Sequence, residues 1–510
     1  MAFIIQARIY SVSIYPIIST KGGTIIMQIM NKNLIIFGLS LFMIIGCEDR
    51  SELTAPQAPN TGEADFTRFV SVGNSLTAAY QNGSLYEKSQ LYSFGKIIAD
   101  EVGTDFTQPL ISEPGILGKL EIVSISPDIV ITPNSKIGEP TNIGYTKPYN
   151  NLGVPGALLY DLIDTTDFGQ KTIERGNPFF SVVLRDQQLG NSIIQQALNL
   201  QPTFITLWIG NNDVLGYANS GGTSGTDATG TLPTDVPTFT TLYNMVADAL
   251  TDTSGYRKIA AANIPDVQNI PYFTTVGPQL AAGIEVAMSQ NPSIMGLFYQ
   301  KSSETVATGL AAPNELYAGN VLITLRGSTY ADLLGDTEGK YYTSIGETPP
   351  PEIDTNQPFG FHPQNPWPDA YVLDADEIVV TQSATTAFNG VINSVVSKYN
   401  DTWALVDINS FFADLKAAEL ATGGMIIDGI NFNTSFILGN TFSLDGIHPT
   451  TQGYGVVANE FIKAINVKFS ASILQINVST LPASIPLAMT SISKKTNFIL
   501  KNTPLKNISM

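Results

Sequence analysis

Short apolar runs alternate with amphipathic stretches along most of the chain, from about residue 66 to residue 470. Apolar runs of four to seven residues predict buried strands, and the amphipathic stretches between them predict helices with one buried face. Strands that alternate with helices are typical of a parallel sheet wrapped by helices. The pattern therefore predicts one α/β domain, a three-layer α/β/α sandwich.

The candidate elements follow from the positions of these runs. Four runs are predicted as strands, at 69–72, 204–209, 258–264 and 403–408. Five stretches are predicted as helices, at 91–102, 192–200, 238–250, 384–399 and 450–465. In the last of them, four large apolar residues recur at helical spacing, which indicates one buried face: Tyr454, Val457, Phe461 and Ile465.

Two regions interrupt the alternation. Residues 219–235 are rich in Gly, Ser and Thr, which predicts a flexible loop. Residues 270–370 form a long insertion that is helical near 278–287 and Pro-rich at 349–351. An insertion of that length between two strands predicts a lid over the carboxyl ends of the sheet.

A serine directly follows the first predicted strand, in the run Gly73-Asn74-Ser75-Leu76-Thr77. A serine hydroxyl at the carboxyl end of a parallel strand becomes a nucleophile when a base and N–H donors lie beside it. Serine after a strand more often caps the next helix, and for Ser75 taken alone that is the favoured interpretation.

The base must come from one of two histidines, His362 and His448. Activation of a serine requires a group that accepts a proton near neutral pH and is oriented by an acceptor on its other ring nitrogen. Asp445 stands three residues before His448, and Gly446 eases the turn that would bring them together. His362 has no acid so close. For an isolated Asp-x-x-His motif, a surface cap is the alternative.

Two further segments offer donors for a developing oxyanion. Gly156 lies in the glycine-bearing turn Gly-Val-Pro-Gly-Ala at 153–157, where its N–H is unobstructed by a side chain. Asn212 follows the second predicted strand and carries a side-chain NH2. The alternative for Asn212 is a turn residue that bonds to its own backbone.

The blocks Gly-Asn-Ser-Leu, Gly-Val-Pro-Gly-Ala, Gly-Asn-Asn-Asp and Asp-Gly-Ile-His resemble, in this order, the four signature blocks of the SGNH, or GDSL-type, hydrolases. The resemblance spans about 66–465 and leaves the insertion outside any block. It implies a flavodoxin-like parallel sheet and ester hydrolysis with no metal and no cofactor. The family's usual Asp before the serine is Asn74 here, which alters the local hydrogen bonding.

The resemblance also implies a role for each matching residue. Ser75 would be the nucleophile, His448 the general base and later acid, and Asp445 its orienting carboxylate. The N–H groups of Ser75 and Gly156 and the side chain of Asn212 would form the oxyanion hole. The function expected is a serine esterase that forms an acyl-enzyme on a small-molecule, lipid or glycan ester. A non-catalytic surface lipoprotein that binds glycan or peptide on the same fold is the alternative.

The net charge and the acidic residues limit which ligands the protein is expected to bind. The formal net charge of -18 argues against nucleic acid, because binding to phosphates needs clustered Lys and Arg. Acidic pairs such as Asp374 and Asp376 resemble calcium ligands, but loose surface carboxylates are the favoured interpretation.

The single cysteine, Cys47, ends an apolar run at 34–46 that is preceded by Lys32. The run is short for a membrane span and has the composition of a secretory signal. With Gly46 before Cys47, it resembles a bacterial lipoprotein signal, which implies lipidation of Cys47. We therefore expect an extracytoplasmic protein anchored to a membrane of the cell envelope, with the outer membrane favoured.

Four segments are predicted in all. Residues 1–46 are the signal segment with an upstream extension, and 47–64 are the lipidated tether. Residues 65–470 are the hydrolase domain, and 483–510 are a loosely ordered tail whose Lys content differs from the acidic body.

Overall fold

The computed structural model describes residues 59–124, 129–223, 226–227, 230–301, 308–483 and 498–500. All of them belong to the unit Ala58–Met510. The predicted signal segment, Cys47, most of the tether and most of the tail lie outside the described residues.

The strands of the described chain are numbered β1 to β16, in the order Phe69–Gly73, Leu120–Ser124, Ile129–Pro133, Asn151–Gly153, Phe204–Trp208, Thr226–Asp227, Gly230–Thr231, Lys258–Ala262, Leu297–Gln300, Thr308–Ala311, Leu322–Ile323, Val372–Leu373, Trp403–Val406, Met425–Ile427, Ile430–Phe432 and Phe498–Leu500. The α-helices are numbered α1 to α15, in the order Ser75–Ala78, Glu87–Gln90, Phe94–Val102, Phe168–Glu174, Phe179–Val183, Ile193–Asn199, Asn212–Asn219, Val236–Leu250, Pro271–Thr274, Val276–Gln290, Pro313–Ala318, Lys340–Ile345, Ala375–Lys398, Ile408–Thr422 and Thr451–Lys468. Short 3-10 helices lie at Leu159–Leu162, Gln187–Leu189, Val267–Asn269, Leu325–Leu333, Asp369–Tyr371 and Val478–Thr480.

Five parallel strands form the central sheet, in the spatial order β13-β8-β5-β1-β4. Numbered by their order in the chain, these strands lie 5-4-3-1-2 across the sheet. This is the flavodoxin-like arrangement, in which helices must cross between successive parallel strands. The predicted α/β fold with a flavodoxin-like parallel sheet is confirmed.

The interior of the sheet is apolar on both faces because helices cover both. Every residue of β1 and of β5 is buried. The two hydroxyl side chains that these neighbouring strands bring inside, Ser71 and Thr206, are bonded to each other at 2.7 Å. Such pairing removes the cost of burying a polar group unbonded.

Stacked aromatic rings mark the two helical layers. In one layer, Phe94 of α3 stacks on Phe461 of α15 with ring centroids 4.5 Å apart. In the other, Phe239 of α8 stacks on Phe388 of α13 at 3.8 Å. The helical face predicted for 450–465 is confirmed, since its four large apolar residues are all buried. These layers hold the strands rigidly, so the strand ends offer fixed positions for functional groups.

Several boundaries differ from the predictions. Strand β4, at the edge of the sheet, was not predicted because its three residues Asn-Leu-Gly contain no apolar run. Helix α13 begins nine residues before the predicted start at 384, because Asp374 caps it. The Asp374 side chain accepts the N–H groups of Asp376 and Glu377, while that of Glu377 accepts the Asp374 N–H, which is a capping box.

The same cap corrects the interpretation of Asp374 and Asp376 as loose surface carboxylates. Asp376 is exposed, but the Asp374 side chain is only 3% exposed and pairs with Lys301 at 3.0 Å. The loop predicted at 219–235 begins at the end of α7. The predicted insertion contains α9 to α12, the hairpin β9–β10 and strand β11.

Candidate active site

The strand order reverses at β1, because the chain crosses from β1 to β4 on one side and then to β5 on the other. In open α/β sheets, the crevice at the carboxyl ends of the strands beside such a reversal is where ligands bind. Ser75 follows the carboxyl end of β1, and Asn212 follows that of β5. The sheet topology therefore brings both predicted residues to the expected binding crevice.

Ser75 is the first residue of α1, but it does not cap that helix. The cap is Asn74, whose side-chain oxygen accepts the N–H of Leu76 at 3.1 Å. The helix-cap interpretation of Ser75 is therefore wrong, since its neighbour fills that role. The Ser75 hydroxyl is left for other chemistry.

That hydroxyl lies against His448. The Ser75 Oγ and His448 Nε2 atoms are 2.9 Å apart, although the residues are separated by 373 positions in the chain. On the other side of the ring, His448 Nδ1 is 3.1 Å from Asp445 Oδ2. Ser75 and Asp445 are each 3% exposed and His448 is 1% exposed, so the surface-cap interpretation of His448 is wrong. The three residues form a continuous chain of hydrogen bonds.

Backbone donors fix the Asp445 carboxylate. Its Oδ1 accepts the N–H groups of Ile447 and His448, each at 2.9 Å. Its Oδ2 accepts the N–H of Gly83 at 2.8 Å in addition to the imidazole. Burial alone would raise the pKa of Asp445, but the charge of His448 and these hydrogen bonds outweigh it and lower the pKa. Asp445 is therefore ionised and can only accept hydrogen bonds.

The tautomer of His448 follows from that ionisation. An acceptor-only carboxylate against Nδ1 requires a proton on Nδ1, which leaves the lone pair of Nε2 facing the Ser75 hydroxyl. The Tyr80 ring lies 4.8 Å from the His448 ring, and the Tyr454 hydroxyl donates to the carbonyl of Tyr80 at 2.7 Å. Burial and the charge of Asp445 raise the pKa of both tyrosines, so they stay neutral.

The loop that supplies the Gly83 N–H was not predicted as part of the site. Asn82 accepts the N–H of Leu444 at 3.0 Å, and its own N–H donates to Ser443 Oγ at 2.9 Å. These bonds tie the 82–83 turn to the segment that carries Asp445. Asn-Gly is a turn signal, and both residues have positive φ, 54° and 72°. The sequence therefore shows the turn, but the partner lies 362 positions away.

The two predicted oxyanion segments are joined to each other. Asn212 Nδ2 donates to the carbonyl of Ala157 at 2.9 Å, so the alternative of a bond to its own backbone is wrong. The next residue, Asp213, accepts the N–H of Leu159 at 3.0 Å. Asn212 lines the same cavity as Ser75 and His448. Gly156 lies one residue from Ala157 with φ +78° and is not among the residues that line this cavity.

Close packing against α1 explains why the segment Gly-Val-Pro-Gly-Ala at 153–157 begins with glycine. Gly153 pairs with Gly73 across the β1–β4 ladder. A Cβ on Gly153 would lie 2.4 Å from the Ala78 nitrogen and 2.8 Å from the Asn74 oxygen. Only glycine lets the turn at 153–157 approach α1 this closely.

Asn74 also orients its neighbour Asn211. Because Asn74 Oδ1 already accepts the Leu76 N–H, its Nδ2 is the end that faces Asn211, and it donates to Asn211 Oδ1 at 3.2 Å. Asn74 and Asn211 therefore form an amide pair at the start of α1. Asn211 is 7% exposed and lines the cavity beside Asn212.

The cavity at Ser75, counted with its open mouth, contains about 640 Å³ of space. Most of its wall is apolar and comes from the ends of β5 and β8, from helices α7 and α14 and from the segment before Asp445, with side chains that include Trp208, Leu215, Ile264, Phe412 and Phe442. Ile270, at the start of the predicted insertion, also lines it. The polarity of the wall fits a ligand that has an apolar part.

The predicted insertion contacts the loop that carries Asp445 and His448 through its first residues. The N–H of Tyr272 donates to the carbonyl of Gly446 at 2.9 Å. His362, the other histidine, lies in the insertion, where its Nδ1 accepts the N–H of Gln364 at 3.2 Å. Only one of the two histidines, His448, therefore contacts Ser75.

Among the described residues, no group of three or more His, Cys, Asp or Glu side chains is arranged to hold a metal ion. None of the helices described is both long and apolar enough to cross a bilayer. Comparison with protein-family models, with curated proteins and with solved structures finds no match to this chain.

Proposed function

We propose that this protein is a serine esterase that hydrolyses carboxylic esters through an acyl-enzyme on Ser75. The observation that carries the proposal is the hydrogen-bonded chain from Ser75 Oγ through His448 to Asp445, with contacts of 2.9 and 3.1 Å. It lies at the strand reversal of the sheet and opens on an apolar cavity. The resemblance to the SGNH hydrolases supports the same assignment of roles.

In the first half of the reaction, Ser75 Oγ attacks the ester carbonyl carbon and its proton passes to His448 Nε2. The tetrahedral intermediate collapses when the bond to the alcohol oxygen breaks, and His448 returns the proton to that oxygen. In the second half, a water molecule attacks the acyl carbon while His448 Nε2 takes its proton, the bond from that carbon to Ser75 Oγ then breaks, and His448 returns the proton to Oγ. The products are the carboxylic acid and the alcohol, and Ser75 regains its proton.

Asp445 holds His448 in the tautomer that this sequence needs and stabilises the imidazolium that forms. The oxyanion would be bound by the N–H groups of Ser75 and Gly156 and by the side chain of Asn212. One such donor contributes about 10²–10³ in rate. Substrate binding would move the Gly156 N–H and the Asn212 amide toward a common oxygen, since donors in ligand-free sites often tighten only around the substrate.

The cavity wall favours an apolar acyl group. An acyl group stays bound through both halves of the reaction, whereas the alcohol must leave so that water can enter. A wall that is mostly apolar stabilises a bound hydrocarbon by roughly 25 cal/mol per Å² of apolar surface removed from water. We also propose that the enzyme is held at the outer face of a cell-envelope membrane by lipid on Cys47.

Covalent labelling with a fluorophosphonate tests the proposal. Wild-type protein should be labelled and should hydrolyse nitrophenyl esters, whereas Ser75→Ala and His448→Ala should lose both properties by a factor of about 10⁴ or more. His362→Ala is the matched control and should behave as wild type, because it contacts neither Ser75 nor Asp445. When cells are fractionated, the labelled wild-type protein should be found with the membranes, whereas the Cys47→Ser protein should be found in the soluble fraction.

The contrary outcomes are equally defined. A folded Ser75→Ala protein with wild-type turnover would exclude Ser75 as the nucleophile. Absence of labelling together with saturable binding of glycan or peptide would favour the non-catalytic lipoprotein.

A further inference from the structure

The cavity that contains Ser75 has one charged wall residue that the proposed reaction does not use. Asp266 follows strand β8, which lies next to β5 in the sheet, and it lines the cavity together with Ser75 and His448. Among the residues that line this cavity, all of them in the described chain, Asp266 is the only Asp, Glu, Lys or Arg. Its nearest neighbours in the chain that line the wall are apolar, namely Ile264, Pro265 and Val267, and Asn269 is the polar residue that follows them.

The residues around Asp266 stabilise its ionised carboxylate only weakly. It accepts the N–H of Gln268 at 3.0 Å, which caps the 3-10 helix Val267–Asn269. Burial raises the pKa of Asp266 above its ordinary value, and that one backbone hydrogen bond only partly opposes the shift. The charged form is therefore held in an environment that disfavours it.

Asp407, directly after the neighbouring strand β13, shows how an aspartate at this edge of the sheet is held when its role is structural. It caps α14 by accepting the Ser410 N–H at 3.1 Å. It also accepts the Ser410 hydroxyl at 2.8 Å and the Asn263 amide at 2.7 Å. Burial would raise the pKa of Asp407, but these bonds outweigh it and lower the pKa. Asp407 does not line the Ser75 cavity.

The cap alone does not account for a charge at Asp266. An asparagine accepts the Gln268 N–H equally well and has no ionised form to desolvate. A carboxylate left short of donors at the wall of a binding cavity is instead suited to accept a hydrogen bond from a ligand.

We propose that Asp266 is a specificity-determining residue of the esterase. Its carboxylate accepts a hydrogen bond from a donor on the acyl group, a hydroxyl or an ammonium, and repels acyl groups that carry a carboxylate. This inference rests on the proposed function. It assigns to the site an acyl chain that is largely apolar, bears one hydrogen-bond donor and has no negative charge.

The test uses nitrophenyl esters that differ only at the far end of the acyl chain. Methyl, hydroxyl, ammonium and carboxylate ends are compared in chains of four, six and eight carbons, so that one length brings the end group to Asp266. At that length, wild-type kcat/KM for the hydroxyl or ammonium ester should exceed that for the carboxylate ester by about 10–100-fold. The stronger of the two donor esters identifies which donor the site takes.

Asp266→Asn should reduce this ratio to within about threefold, mainly because the carboxylate ester is no longer repelled. Asp407→Asn removes the same charge from the neighbouring strand end and should leave the ratio unchanged. Asp266→Ser provides a second cap-forming replacement should the asparagine variant fold poorly, and the same loss of discrimination is expected.

Fluorophosphonate labelling of Ser75 distinguishes a failure of the proposed role of Asp266 from a failure of the proposed esterase activity. If Ser75 is labelled and neutral esters are hydrolysed, but Asp266→Asn and Asp266→Ser discriminate as wild type does, the role of Asp266 is overturned and the esterase stands. If no ester is hydrolysed and Ser75 is not labelled, the esterase and this inference fall together.

Discussion

Two loops at the carboxyl edge of the sheet each carry an aspartate, Asp445 against His448 and Asp266 in the cavity wall, and they surround it in opposite ways. The histidine loop, residues 443–450, gives Asp445 backbone N–H donors from Ile447, His448 and Gly83 in addition to the imidazole. The β8 loop, residues 263–270, gives Asp266 one backbone donor. The pKa of Asp445 is lowered and that of Asp266 is raised.

The difference shows that burial alone does not decide the charge of a carboxyl group. Asp445 is 3% exposed, more deeply buried than Asp266, and yet it is the one whose ionised form is stabilised. The charge of His448 and the N–H groups directed at the oxygens together outweigh desolvation for Asp445, whereas the single N–H group at Asp266 does not. A carboxylate surrounded by donors can orient a catalytic base, whereas one short of donors is available to a ligand.

The largest expected effect comes from removing the charge of Asp445. Asp445→Asn should lower kcat by about 10⁴, because the amide no longer requires the proton of His448 to be on Nδ1 and no longer stabilises the imidazolium. Steady-state kinetics with a neutral nitrophenyl ester measure this. Asp407→Asn, which alters a capping aspartate away from the cavity, is the control and should retain wild-type kcat. A loss of less than tenfold in Asp445→Asn would show that the donors around Asp445 serve stability alone.

A smaller effect should follow from loosening the turn that brings Gly83 to Asp445. Asn82→Ala removes the acceptor for the Leu444 N–H and places alanine at a φ of 54°. We expect kcat to fall about tenfold with little change in KM, together with a loss of about 1–3 kcal/mol in the free energy of unfolding.

Asn82→Gly separates the two causes of that effect. Glycine tolerates the positive φ but lacks the amide, so an effect due to the hydrogen bond persists in Asn82→Gly and an effect due to backbone strain does not. If both variants keep wild-type kcat, Gly83 does not help to position Asp445.

How much of this arrangement the sequence predicts depends on how local each determinant is. Strands β1, β5, β8 and β13 were predicted because each is a largely apolar run, and their alternation with helices predicts a parallel sheet. Strand β4 was missed because three residues with one apolar side chain carry no periodicity. The start of α13 was missed although the capping pair Asp374 and Glu377 is visible in the sequence.

The site divides in the same way. Asp445 and His448 are three residues apart, so their contact needs only one turn, and the sequence predicts it. The cap formed by Asn74 is also local, but the sequence does not show whether Asn74 or Ser75 makes it. The contribution of Gly83 and the position of Asp266 in the cavity wall depend on contacts between distant segments. These two were accessible only from the folded structure.

The smallest expected effect is on the free energy of unfolding and not on catalysis. It tests whether the two loops stabilise their aspartates differently. The pKa of Asp266 in the folded protein lies above the ordinary value of 3.8, so ionisation at higher pH destabilises the fold. The free energy of unfolding of Asp266→Asn at pH 7 should therefore exceed that of wild type by about 0.5–2 kcal/mol. This difference should vanish as the pH falls below 3.8.

Asp445 should show the opposite sign, because its folded pKa lies below 3.8. Its stabilising contribution is complete above 3.8 and is lost as the pH falls through the folded pKa, so Asp445→Asn should be less stable than wild type at neutral pH and approach it in acid. Urea unfolding of both variants between pH 3 and pH 8 measures the two trends. If the free energies of unfolding of the two variants change with pH in the same way, the two loops do not differ in how they stabilise their carboxylates. Asp266 would then not be a carboxylate left available for a ligand.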